Sequence, residues 1–325
     1  MLKSWTNRKR ALLAALLIIL LIGGVLYKLA DRYLIEHVEI RVTSAPESTT
    51  AATPSTGSSG STAGSTPAAA DGKVLSDDWS YRSSDIDISI RRVETGEGKQ
   101  KITYYVADVQ LNNGASLSSA FAKNAFGRNI IENTSVIATN NDALFAINGD
   151  YYGFRSDGVI IRNGTLYRSE PARTGLALYA DGTMKSYDET EQTAASLLAD
   201  GVIHTYSFGP ALVENGEVAA NLDQVKIDSN FGNRSIQGAN PRTGIGLISA
   251  NHYLFIVVDG RKEGYSTGMT LNQFAQLFKE LGATEAYNLD GGGSSTMYFQ
   301  GRVVNNPLGK ETERGVSDIL YIPAP

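Results

Sequence analysis

The 325-residue chain carries 29 Lys and Arg against 34 Asp and Glu, a formal net charge of −5, and it contains no cysteine. Without thiols there is no thiolate nucleophile, thiolate metal site or disulfide, so an exported domain of this size must rest on its core, which suits a bacterial exported protein. The acidic balance offers no basic face for nucleic acid, and His37, His204 and His252 lack metal-ligand spacing and read as structural.

In chain order, a basic tail with Lys3, Arg8, Lys9 and Arg10 (1–10) precedes an uncharged apolar run from Ala11 to Tyr27 that Leu29 and Ala30 extend. Its length falls in the spanning range. The basic flank places the N-terminus in the cytoplasm, and no small-x-small cleavage site follows, so 11–30 reads as a transmembrane signal anchor. The expected location is therefore a single pass in a bacterial, Gram-positive cell membrane with the C-terminal part outside. Residues 31–42 read as either a short helix or a strand. Residues 43–74 are Ser, Thr, Ala, Gly and Pro with almost no large apolar side chain. Such a stretch cannot bury enough surface to offset its ordering entropy, and it reads as a tether.

Residues 75–325 read as one α+β domain, a hairpin-rich mixed sheet with helices packed outside. Asn163-Gly164, Asp181-Gly182 and Asn215-Gly216 mark hairpins, two of them spanning Ile160 to Tyr167 and Ala177 to Met184. Helical spacing appears near Leu117 to Phe126, Thr190 to Leu198 and Thr270 to Leu281. Three apolar strands end in an amide or acid beside glycine: Leu144–Ile147 before Asn148-Gly149-Asp150, Tyr253–Val258 before Asp259-Gly260-Arg261, and Ala286–Leu289 before Asp290. If these strands are neighbours, Asp150, Asp259 and Asp290 line one rim.

The last of them opens Asp290-Gly291-Gly292-Gly293-Ser294-Ser295-Thr296. Glycines let backbone N–H groups converge on a ligand oxygen, and hydroxyls with an acid suit a sugar or phosphate. A flexible Gly/Ser connector is the competing reading. The amphipathic helix and buried strand before the glycines favour a site at a strand's carboxyl end. Arg242 and Arg314 lie beside strand-like runs, and arginine is the natural fork for phosphate.

Taken in order, Ala146-Ile147-Asn148-Gly149-Asp150-Tyr151-Tyr152, Arg242-Thr243-Gly244-Ile245-Gly246, Val257-Val258-Asp259-Gly260-Arg261, Gly264 to Thr270, Asn288 to Ser295 and Arg314-Gly315-Val316-Ser317 resemble the phosphodiester glycosidase family. The resemblance runs from about Ile137 to the C-terminus. It implies a hydrolase that removes a sugar, N-acetylglucosamine in the animal members, from a phosphodiester. Bacterial relatives are often labelled exopolysaccharide-biosynthesis proteins, so the expected substrate is a glycosyl phosphodiester of cell-envelope polymer or exopolysaccharide.

The phosphate side of a glycosyl phosphodiester leaves as a stable anion, so such a site needs groups that hold phosphate more than a general acid. Arg242, Arg314 and the Gly291, Gly292 and Gly293 amides are expected to hold it, with Ser294 and Ser295 beside them. Asp290 is the expected base or nucleophile, with Asp150 and Asp259 as partners and Glu263 a weaker candidate. Asn148 and Asn288 are expected to bind sugar hydroxyls, with Tyr151 or Tyr152 stacking on a sugar face. A divalent cation, calcium or magnesium, could instead bridge two of the aspartates. A phosphodiesterase cutting P–O and a non-catalytic glycan-binding module remain as alternatives.

Overall fold

The computed structural model describes residues 2–42, 74–227 and 235–325. The fold is α+β, two stacked antiparallel sheets with a helix on each outer face. The larger sheet has nine strands in the order Glu217–Val218, Ala211–Glu214, Glu285–Asn288, Arg242–Ser249, His252–Val258, Ile102–Leu111, Ile86–Thr95, Ser80–Arg82 and Leu75–Ser76. The smaller runs Arg302–Val303, Met297–Phe299, Ala143–Asn148, Asp318–Pro323 and Ser118–Phe121. A three-stranded sheet (Met184–Asp188, Thr174–Tyr179, Val202–Tyr206) and the hairpin Gly158–Arg162/Thr165–Glu170 close one side.

Strand periodicity explains the layering. Along His252–Val258, Tyr253, Phe255 and Val257 point into the core between the sheets, where they meet Phe145, Ile147, Met297 and Leu320. Leu254, Ile256 and Val258 point outward, onto Phe274 and Phe278 of the helix Leu271–Glu280. Both faces are covered, so the strand reads as an unbroken apolar run. On the other outer face, Ala146 and Ile319 pack on Ile137 and Ala138 of the helix Thr134–Asn140.

The expected hairpins at Asn163-Gly164, Asp181-Gly182 and Asn215-Gly216 are present, with positive φ at both residues of the first and third. The helix expected near Thr270 to Leu281 is Leu271–Glu280, closed at its start by a Thr270–Gln273 capping box. The one expected near Thr190 shortens to Ala194–Ala199, capped by the Thr193 side chain. The helix expected from Leu117 to Phe126 is instead two strands, Ser118–Phe121 and Ala125–Arg128, around a short turn. Leu117, Ala120 and Phe121 enter three different apolar clusters, and extended chain can distribute neighbours in that way.

At the N-terminus, Leu2–Tyr33 is a helix with an apolar stretch Lys9–Asp31 long enough to cross a membrane, unburied by protein. The segment open to either helix or strand contains the strand His37–Arg41, paired antiparallel with Ala125–Arg128. The stretch read as a tether lies, through residue 73, outside the described residues. The strand before it is already docked on the domain.

Candidate functional site

Antiparallel pairing brings the carboxyl ends of Glu285–Asn288 and His252–Val258 beside the amino end of Arg242–Ser249, with Arg242 opposite Val258 and Asn288 opposite Gly244. At this edge a pocket of about 830 Å³, its open mouth included, is lined by Tyr151, Arg155, Phe208, Asn240, Pro241, Arg242, Arg261, Asn288, Asp290, Gly291, Gly292 and Arg314, with Ile227 and Ile236. Among these described residues four guanidinia face one carboxylate. That balance selects an anion, even though the chain as a whole is acidic.

Asp290 is the lone carboxylate among the described lining residues. Its Oδ2 accepts from Ser294 Oγ at 2.6 Å and from Arg314 Nη2 at 3.1 Å. Among the described residues no hydrogen bond reaches Oδ1. Burial pushes the Asp290 carboxyl above its ordinary value, and Arg314 and the Ser294 hydroxyl pull against that rise.

Arg314 also donates from Nε to Ser294 Oγ at 3.1 Å, so acid, hydroxyl and guanidinium form one unit. Arg242 is buried. Its Nε donates to the Met269 carbonyl at 2.9 Å, and Nη2 donates to the carbonyls of Ile236 and Gly238 at 2.6 and 2.8 Å. Burial, with Arg261 nearby, pushes Arg242 down to about 10, so it stays charged at neutral pH. Arg261 is held by Asn240 Oδ1 at 2.8 Å. Asn288 donates to the Gly209 carbonyl at 2.8 Å, while its buried Oδ1 has no partner and is an acceptor waiting for a donor. Arg155 lies 5.1 Å from the Tyr151 and Phe208 ring centres, a cation–π sandwich that forms an aromatic wall.

The glycines chiefly permit close packing. A Cβ on Gly291 would stand 2.7 Å from the Pro241 carbonyl oxygen, and one on Gly292 would stand 3.1 Å from the Arg261 guanidinium. Gly292 N–H is already donated to Pro241. Gly293 packs under Arg314 and does not line the pocket.

The structure does not bring the three aspartates to one rim. Asp150 Oδ2 accepts from Ser207 N at 2.6 Å and Oδ1 from Tyr151 N at 2.6 Å, inside a buried network with Asp318 and Arg162. Asp259 accepts from Asn305 Nδ2 and the Tyr265 hydroxyl at 2.7 Å each and from Asn306 N at 3.0 Å. Asn305 in turn donates to the Ser295 carbonyl at 2.9 Å, which steadies the chain leaving the glycines. Both acids are spent on protein donors, backbone and side chain alike.

Asn148 is likewise enclosed. It donates to the Asp290 carbonyl at 2.7 Å and accepts from Thr243 Oγ1 and Thr296 N at 2.8 and 3.2 Å, which ties the two sheets together behind Asp290. Ser294 is buried behind the carboxylate that it holds, and Ser295 is buried with its Oγ unpartnered. Tyr152 is buried against Phe126, leaving Tyr151 as the pocket tyrosine. Glu263 is exposed beside Lys99. His204 is enclosed between Leu117 O and Asn163 N, and burial pushes it down to about 4.

Among the described residues no group of three or more His, Asp or Glu converges as a metal site. Asp150 and Asp259 each spend their oxygens on separate protein partners. Sequence reading missed Arg155 and Phe208, which no strand-end pattern marks. Arg261 carried a signal in the sequence, an arginine directly after the Asp259-Gly260 corner.

Pocket and strand-end geometry define a domain with an anion-selective site, and comparison with known proteins gives the family. The phosphodiester glycosidase model matches residues 133–323, and the chain belongs to that family. It is 32% identical over 209 residues to an uncharacterized SPbeta prophage-derived protein, YomE, of Bacillus subtilis, across 62% of this chain and 31% of that one. It is 26% identical over 156 residues to the N-acetylglucosamine-1-phosphodiester alpha-N-acetylglucosaminidase of Bos taurus, across 48% and 25%. The aligned part thus spans less than a third of either relative. The fold matches the catalytic domain of the zebrafish N-acetylglucosamine-1-phosphodiester alpha-N-acetylglucosaminidase, a structure auto-inhibited by its pro-peptide, with a TM-score of 0.59 and 21% identity over 75% of this chain and 85% of that one.

Proposed function

We propose that this chain is a membrane-anchored hydrolase that splits a glycosyl phosphodiester between the anomeric carbon and the phosphate oxygen. The observation that carries this reading is the pocket in which, among the described lining residues, four guanidinia accompany the single carboxylate Asp290. Hydrolysis of an ordinary glycoside takes two carboxylates, one to protonate the leaving oxygen. A phosphomonoester leaves without that proton, so one carboxylate and a cationic cradle suffice. Arg242, Arg261 and Arg314 bind the phosphoryl oxygens. The aromatic wall of Tyr151 and Phe208 and the unpartnered Asn288 Oδ1 take the sugar. Asp290 removes a proton from the attacking water as the C–O bond breaks, and the bond's electron pair leaves on the phosphate oxygen. The products are a free sugar and a phosphomonoester.

An N-acetylglucosamine-type sugar and a cell-envelope or exopolysaccharide substrate are part of the proposal, supported by family membership and by the bovine relative's name. Anchoring rests on the N-terminal apolar helix. Incubation with an N-acetylglucosamine-α-1-phosphodiester in ¹⁸O-water tests the reaction. Label in the sugar supports it, label in the phosphate moves the function to a phosphodiesterase, and no turnover across a panel of glycosyl phosphodiesters leaves a binding module.

A further inference from the structure

The helix that would cross the membrane does not hand over to a loose linker. Its apolar stretch ends at Asp31. Asn129, buried in the domain with a left-handed φ of 59°, donates from Nδ2 to the carbonyls of Asp31 and Ile35 at 3.0 and 2.8 Å. The strand His37–Arg41 then pairs with Ala125–Arg128. Lys123 pairs with Glu36, and Val42 packs on the Phe121, Phe126 and Tyr152 cluster. Gly127 is built for this contact, since a Cβ there would stand 1.9 Å from the His37 carbonyl oxygen.

The same residues carry the pocket wall. Asn129 N donates to the Gly153 carbonyl at 2.8 Å, and Tyr152 stacks on Phe126 at 5.0 Å. Tyr151 and Arg155, on either side of that short turn, line the pocket. Two residues of chain reach at most about 7 Å. Summed with the hydrogen bonds and the Asn129 side chain, the wall begins within about 20 Å of the end of the apolar stretch. The headgroup layer alone occupies roughly 5–8 Å of that. Leu34, 78% exposed at the helix exit, and Ile131, 37% exposed two residues past Asn129, present apolar surface beside the exit.

We propose that the docked strand His37–Arg41 fixes the domain against the bilayer face where the helix emerges, so that the pocket acts on glycosyl phosphodiesters carried by membrane lipid. The substrate clause rests on the hydrolase reading above, whereas the placement does not. A pocket held at this height meets the phosphate of a lipid-linked sugar by lateral diffusion in the membrane plane. A domain on a free tether would sample bulk polymer instead.

The chain has no cysteine, which allows single-site labelling of the full protein. A donor dye on Thr312→Cys, two residues from the pocket arginine, is compared with one on Asp181→Cys. Asp181 adjoins Gly182, which accepts from Asn251 at the opposite end of the strands, roughly 24 Å away along seven residue steps. The proteins are reconstituted in phosphatidylglycerol vesicles bearing a headgroup acceptor. Transfer should be strong from position 312 and weak from 181. Inserting about 10 Gly/Ser residues between Tyr33 and Leu34, which adds roughly 17 Å of flexible reach, should abolish the difference while the docked strand stays folded.

The insertion should also lower turnover of a dialkylglycerol-linked N-acetylglucosamine-1-phosphate in the same vesicles at least about tenfold, while a water-soluble methyl diester is cleaved within about twofold of the parent rate. Equal transfer from both positions in the parent overturns the placement, even with the soluble diester still cleaved. Unchanged turnover of the lipid-linked diester on insertion overturns the substrate clause. Cleavage of neither diester, nor of any glycosyl phosphodiester in the panel above, by a parent that shows the transfer difference overturns the hydrolase reading and leaves the placement supported.

Discussion

Asp290 differs from Asp150 and Asp259 in what its oxygens do. Each is a buried acid at a strand end, but two of them accept backbone N–H bonds and only Asp290 lines the pocket. Asp290→Asn should keep the fold, because the amide oxygen can still accept from Ser294, and should remove at least about 10³ of kcat by deleting the base. A folded variant with full activity, judged by circular dichroism and turnover, would exclude Asp290 from the chemistry. The charge state gives a second test. Burial raises the Asp290 carboxyl and Arg314 lowers it, so the acid limb of kcat/KM, which reports ionisation of the base in free enzyme, should sit above the usual carboxylate range. Arg314→Met removes a cation that favours the ionised form. The limb should therefore move to higher pH, and a limb that stays in place would mean that Arg314 serves binding alone. Sequence made Asp290 legible because the glycines after it are unusual. It could not separate the other two acids, since a carboxylate that caps backbone and one that faces a pocket share the same residue and the same strand-end position.

The strand Arg242–Ser249 places Arg242 at the pocket and is itself held by the helix behind it. Gly244 and Gly246 lie under Phe274 and Phe278, where an added Cβ would stand 2.7 to 3.0 Å from the ring carbons. Gly246→Ala should cost about 1–3 kcal/mol by overpacking, read as a lower urea midpoint at unchanged slope, and Phe278→Leu should restore part of it by vacating ring volume. A loss unaffected by the second change would place the strain elsewhere. This element was legible: apolar residues at Leu271, Phe274, Ala275, Phe278 and Leu281 keep helical spacing, and Gly282 closes it. The segment from Leu117 to Phe126 misled because a short, wholly buried run has apolar residues at helical and extended spacings alike. The docking of His37–Arg41 was hidden for a different reason. Its partner strand lies more than eighty residues on, and the feature that admits it is the lone glycine at 127.

Across the whole molecule, two charge scales compete. The chain carries −5, which taken alone would repel an anionic diester, so added salt would speed encounter. The described lining of the pocket presents four guanidinia to one carboxylate, which would attract the diester, so added salt would slow encounter. Screening removes contributions from charges farther off than about 10 Å at 0.1 M ionic strength. The arginines line the pocket and so act on a ligand within that distance, so the local field should win. For a water-soluble glycosyl phosphodiester, kcat/KM should fall by roughly 3- to 10-fold between 20 and 500 mM salt, and Arg261→Met should flatten that slope without moving the acid limb set by Asp290. A kcat/KM that rises with salt would mean that the net charge governs approach, and the arginines would then be holding protein backbone in place of phosphate.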